Sequence, residues 1–134
     1  MSTSPTIQAL YDAGIAFPGV RCLSGTQDPM IQQLATDAAQ LQALRERCGH
    51  WDFDARFMQI QQDLSMLASE IAAMSWPEQK DLVMRALGDE MWKCWRESPG
   101  HWAIASKPHA RYGLDMVQAK NGIWFATVLV ADPE

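Results

Sequence analysis

The chain is poor in positive charge, lacks a long apolar run and has no paired cysteines. Each absence closes a class of function. Eleven Lys and Arg stand against sixteen Asp and Glu in 134 residues, for a net charge of −5. Without a basic tail or cluster, nothing neutralises a run of phosphates, so nucleic acid is excluded as a partner. No apolar stretch reaches the ~20 residues a helix needs to span a bilayer. The stretch from Met1 to Gln8 has neither a basic region nor an apolar run and does not read as a signal peptide. Synthesis in the cytosol is therefore expected, with the final location left open. Cys22, Cys48 and Cys94 are odd in number, scattered and without Cys-x-x-Cys spacing, so they read as free thiols. Phosphate-binding loops, HExxH, calcium loops and internal repeats are also missing.

What is present is a globular chain. Hydrophobic residues make up 48%, including six Trp and eight Met, and the length suits one domain over residues 1–134. Ile7, Leu10, Tyr11 and Ile15 lie at helical spacing, and Phe17-Pro18-Gly19 ends that helix. Asp28-Pro29 opens a second helix, with Asp28 as the cap and Pro29 at the first turn. Its stripe runs through Ile31, Leu34, Ala38 and Leu41 to Cys48-Gly49. A third helix, capped at Asp54, is expected to run from Phe57 through Ile60, Leu64 and Leu67 to Met74. Ser75-Trp76-Pro77-Glu78 has the form of a capping box for a fourth helix carrying Leu82, Val83, Met91, Trp92 and Trp95, with Gly88 as a break or bend.

After residue 111 the period changes from helical to alternating. Tyr112 to Ala119 reads as one strand and Gly122 to Val130 as another, joined by a tight turn at Asn121-Gly122. The second run is almost continuously apolar, which predicts a central strand covered on both faces. Trp95, Trp124, Leu34 and Leu64 are the expected core.

The segment Trp95-Arg96-Glu97-Ser98-Pro99-Gly100-His101-Trp102, followed by a short loop and that hairpin, resembles the CAP superfamily of cysteine-rich secretory, antigen-type and pathogenesis-related proteins, in its short bacterial form. The Asp28-Pro29 helix leading to His50 fits the same order. The resemblance implies an α/β fold, an α-β-α sandwich with a small antiparallel sheet between helices. Family members are mostly secreted and often disulfide-bonded, and this chain departs from both habits.

The resemblance also implies a cleft. In the family, two histidines and two glutamates line it and can hold a divalent metal. Here the matching positions are His50, His101 and Glu70, the last within Ser69-Glu70-Ile71-Ala72, although the asparagine that follows this glutamate in the family is missing. Glu97 is the candidate for the second glutamate, ahead of Glu90. Trp102 and Phe57 are expected as the apolar wall. His50 and His101 are the expected ligands of Zn or another divalent ion, since neutral imidazole suits such metals.

Each residue also has a plainer reading. His101 can order a loop, His50 can end a helix, Glu70 and Glu97 can be surface carboxylates, and His109 can sit in a solvated loop. Ser98 with His101 lacks an acidic orienter, and Cys94 between Trp92 and Trp95 reads as core rather than nucleophile. Three functions follow from the resemblance and the composition. The first is a non-catalytic binding module for a small apolar molecule, a peptide or a protein. The second is a metal-dependent hydrolase using the His/Glu cleft, and the third is a structural component of a secretion system or virion.

Overall fold

Two helices begin at a side-chain cap, and one of these, Asp28, is the cap expected from sequence. In the computed structural model, which describes residues 4–134, Ser4 accepts a hydrogen bond from the Ile7 amide at the start of helix α1, Pro5–Ala16. Residues 1–3, part of the stretch read as lacking an export signal, lie outside the described residues. Asp28 caps α2, Pro29–Arg45: its Oδ1 accepts from the Met30 and Ile31 amides at 2.9 and 3.1 Å. Its Oδ2 accepts from Arg111 at 2.8 Å, which ties the start of α2 to the sheet. The helix ends three residues before the expected Cys48. Glu46 takes a left-handed conformation, and the Glu46 and Arg47 amides fold back onto Ala43 and Gln42.

Helix α3, Phe53–Leu64, starts after Asp52 rather than at the expected Asp54 cap and ends ten residues before the expected Met74. Ser65 turns left-handed at φ 53°, and Met66–Met74 continues as strand β2. Leu67, Ala68, Ile71 and Met74 satisfy a helical stripe, and alanine favours helix. Nine residue pairs with the strand Trp124–Pro133 outweigh that preference. Ser75 then extends this pairing instead of capping a helix. Its amide donates to the Trp124 carbonyl and its hydroxyl accepts from the Trp124 amide, both at 2.9 Å. A single 3-10 turn at Pro77–Gln79 follows, and α4 starts only at Met84, running to Arg96. Gly88 does not break this helix. A side chain there would come within 3.0 Å of the Ala9 carbonyl and the Ala13 methyl, so glycine lets α4 lie against α1.

Ser98-Pro99-Gly100-His101 starts a helix instead of leading into a loop: α5 spans Pro99–Ala105 with Ser98 at its N-cap position. The hairpin follows, as Arg111–Gln118 and Trp124–Pro133. Only Gly122 takes a positive φ in its turn, at 87°; its amide donates to the Ala119 carbonyl, and the Asn121 side chain accepts from the Ile123 amide.

With the two-residue strand Thr26–Gln27 as β1, and the hairpin strands as β3 and β4, the sheet order is β1-β3-β4-β2. The sheet is mixed rather than antiparallel throughout, because β1 runs parallel to β3. β4 is central, as its apolar run predicts, and its first eight residues are buried. Helices α2 and α3 cover one face, where Ile31 and Ile60 meet Ala68, Leu129 and Ala131. Helices α1, α4 and α5 cover the other, with Trp92, Trp95 and Leu10 against Leu114 and Val128. The result is an α/β/α sandwich.

Trp95 is fully buried and donates to the Ala72 carbonyl, and Trp124 is buried. Leu34 and Leu64, expected in the core, pack only at the margin of the α2/α3 cluster. Asp115 on β3 joins both layers to the sheet, accepting from Thr6 of α1 at 2.8 Å and Thr36 of α2 at 2.7 Å.

Candidate functional site

His50 is held by the loop between α2 and α3, and that loop is anchored from the core. Gln42 is buried on α2 and donates to the Ala126 carbonyl and the Thr127 hydroxyl of β4. Its carbonyl oxygen accepts from the Gly49 amide at 3.1 Å, which fixes the residue before His50. Trp51 donates from its indole to the Arg47 carbonyl, and Arg56 closes the loop by donating to the Trp51 carbonyl.

The loop carries His50 to the free edge of β2. There Nδ1 lies 3.0 Å from Glu70 Oε1. Glu70 is buried and also receives two bonds from Arg56: Nε to Oε2 at 2.8 Å and Nη2 to Oε1 at 2.8 Å. This is a forked guanidinium–carboxylate pair, the geometry that best offsets the cost of burying two charges. Phe53 stands edge-on to the His50 ring at 6.4 Å and leans on Phe57.

An open cavity of about 360 Å³ is lined by His50, Phe53, Ala68, Ser69 and Glu70. An adjoining one of about 420 Å³ shares His50 and Phe53 and adds Asp52, Asp54 and Ala55. His101 approaches from the opposite layer, in the first turn of α5. Burial lowers its pKa first, and the charge of His50 lowers it further. The Nδ1 atom of His101 is buried and has no hydrogen-bond partner among the described residues.

The other expected cleft residues lie elsewhere. Glu97 is exposed at the C-terminal end of α4, on a separate cavity of about 260 Å³ whose lining includes Ser75, Trp76, Glu90 and Cys94. Trp102 faces Phe17 and Gly19 and carries the Arg96 guanidinium over its ring at 5.2 Å. Phe53, rather than Trp102, supplies the ring beside His50. His109 is not in a solvated loop: its Nδ1 meets Asp132 at 2.6 Å and its Nε2 the Ile104 carbonyl at 2.9 Å.

The cysteines are free. Burial pushes the Cys22 thiol up to about 12. Desolvation of the sulfur, then the neighbouring Cys94, pushes Cys48 up to about 11. Desolvation, then Glu97, raises Cys94 as well. None is primed as a thiolate nucleophile.

The donor set does not fit a bound metal. Both Glu70 oxygens are engaged by Arg56, and one is shared with His50. That leaves His50 Nε2 and the two ring nitrogens of His101 without a hydrogen-bond partner among the described residues, and His101 Nδ1 is buried. Among the described residues no cluster of three or more His, Cys, Asp or Glu is placed to hold an ion. Two imidazoles fall short of the three protein ligands of a typical catalytic zinc site.

Arg56 was not anticipated from sequence, yet it organises the site. The signal was present: an arginine within the apolar stripe of Phe53, Phe57 and Ile60 implies a buried carboxylate opposite.

No family model matches the chain, and no curated protein matches it. Among solved structures, an outer surface protein from Borrelia burgdorferi is similar over 100% of this chain and 97% of its own, with a TM-score of 0.67 and 17% sequence identity. The likeness is one of fold.

Proposed function

We propose that the chain is a CAP-like binding module that recognises its ligand without chemistry in the cleft between His50 and His101. The observation that carries this reading is the state of Glu70. A general base or metal ligand needs an oxygen free to take a proton or a cation. Both Glu70 oxygens are committed to Arg56, and one also to His50. A carboxylate fixed in this way serves to hold His50, whose ring stands 44% exposed at the rim with Nε2 free to meet a ligand. Phe53 gives the same rim an apolar surface. A small apolar molecule, a peptide or a partner protein fits such a cleft.

Protein-observed NMR with a mixed set of aromatic fragments and short peptides tests this. Shifts should cluster on His50, Phe53, Ser69 and Glu70. Hits confined to other surfaces would remove the binding reading. Stoichiometric Zn uptake that raises thermal stability and is lost in both His50→Ala and His101→Ala would favour the metal-dependent hydrolase instead.

A further inference from the structure

The β2 strand has an unused edge, and the hydrogen bonds identify which groups lie on it. Ser75 pairs with Trp124 by donating to its carbonyl. In an antiparallel ladder, bonded positions alternate. The register Ala73↔Ala126, Ile71↔Val128 and Ser69↔Val130 therefore places the backbone groups of Ser69, Ile71 and Ala73 toward β4. Those of Ala68, Glu70 and Ala72 point outward. The Trp95 indole confirms this direction, since it reaches the Ala72 carbonyl from outside the ladder at 3.0 Å. Among the described residues, the amides and carbonyls of Ala68 and Glu70 have no partner on that side. They lie in the wall of the His50 cavity.

We infer that the ligand of this cleft is an extended peptide that pairs with β2 at Ala68 and Glu70 and carries a basic side chain toward Asp52 and Asp54. The inference rests on the binding reading and deepens it. Two outward residues, two apart, present donor and acceptor at the ~7 Å repeat of a strand, which an extended backbone matches and a compact small molecule does not. The Trp95 bond closes the edge at Ala72, so pairing is confined to the Met66 end of the strand.

Side chains of a paired peptide alternate between the two faces. On the α3 face they meet Phe53 and then Asp52 and Asp54, whose carboxylates make no ion pair among the described residues. A lysine or arginine complements them. On the α5 face they meet Leu67, an apolar side chain left 44% exposed.

The test uses an alternating lysine–valine peptide of about eight residues, long enough to lie along β2. Amide hydrogen exchange is followed by NMR on the intact chain. Ala68 and Glu70 should slow by at least about tenfold at saturating peptide, while Ser69 and Ile71, already bonded to β4, stay unchanged. The same peptide with proline at alternate positions should give no protection, and Asp52→Asn with Asp54→Asn should weaken binding of the lysine peptide several-fold.

Shifts at His50 and Phe53 without protection of Ala68 and Glu70 would overturn edge pairing and leave the cleft as a binding site. Equal binding of the proline peptide would do the same. An absence of both shifts and protection overturns the inference, and the fragment screen then decides the cleft on its own. Concentration-dependent protection without peptide would assign the edge to a second copy of the chain and overturn the peptide.

Discussion

Two histidine–carboxylate pairs in this protein are built in opposite senses. At the cleft, Glu70 is 1% exposed and His50 is 44% exposed. Near the C-terminal end of β4, His109 is 11% exposed and Asp132 is 47% exposed. Where the carboxylate is buried, a cation must offset it, and Arg56 does so. The histidine is then free to present one ring nitrogen outward. Where the histidine is buried, both ring nitrogens are used, one on Asp132 and one on the Ile104 carbonyl. The same two residue types thus form a recognition surface in one place and a structural clamp between α5 and β4 in the other. Burial decides which.

The largest expected effect strikes the buried half of the cleft pair. Arg56→Met strands the Glu70 carboxylate and should cost about 3–5 kcal/mol in urea denaturation, with part of the loss recovered in Arg56→Met with Glu70→Leu. Next comes the clamp. His109→Leu leaves the Ile104 carbonyl without its donor and should cost about 1–3 kcal/mol. His50→Ala should stay within about 0.5 kcal/mol, because its ring stands at the surface. If His50→Ala proved as costly as Arg56→Met, the contrast between the two centres would collapse.

Acid titration separates the centres further. The folded pKa of His101 lies below its ordinary 6.5, so the unfolded chain binds the proton more readily. Stability is therefore full above about pH 6.5 and declines as pH falls toward the folded value. His101→Asn should flatten that decline.

Asp132 titrates in a lower window. Burial alone would raise its carboxyl, but hydrogen bonds from His109 and the Ala110 amide outweigh this and hold it below its ordinary 3.8. Its contribution is present above about pH 3.8 and lost as pH falls through the folded value; Asp132→Asn should remove that step. Melting temperatures measured from pH 8 to pH 3 on the two variants check both windows. The smallest perturbation is chemical. Thiol titration in denaturant without reductant should count all three cysteines, and a count of one would mean that a pair had oxidised.

Much of this was legible along the chain. Asp28-Pro29 marks the start of α2 because a short side chain can satisfy its first amides locally. Asn121-Gly122 marks the hairpin because glycine can adopt the positive φ that the turn requires. The almost continuously apolar run from Ile123 to Val130 marks a strand covered on both faces. All three depend on neighbours in sequence.

Strand β2 was not legible, because Met66 to Met74 suits a helix equally well by spacing and propensity. Its pairing partner lies more than fifty residues further along the chain, from Met74↔Phe125 to Met66↔Pro133. The cleft followed the same division. His50, Glu70 and His101 could be named as a set from the motifs they resemble, but Arg56 could not, because its role depends on a carboxylate fourteen positions on. The sequence by itself determined the Asp28 cap, the turn, the central strand and the absence of basic clusters, all of which rest on local stereochemistry or composition. Only the tertiary structure decided that 66–74 is a strand, that its outer edge is free, and that a buried arginine takes up the glutamate beneath His50. Those outcomes depend on pairing and burial between distant segments, and no local pattern encodes them.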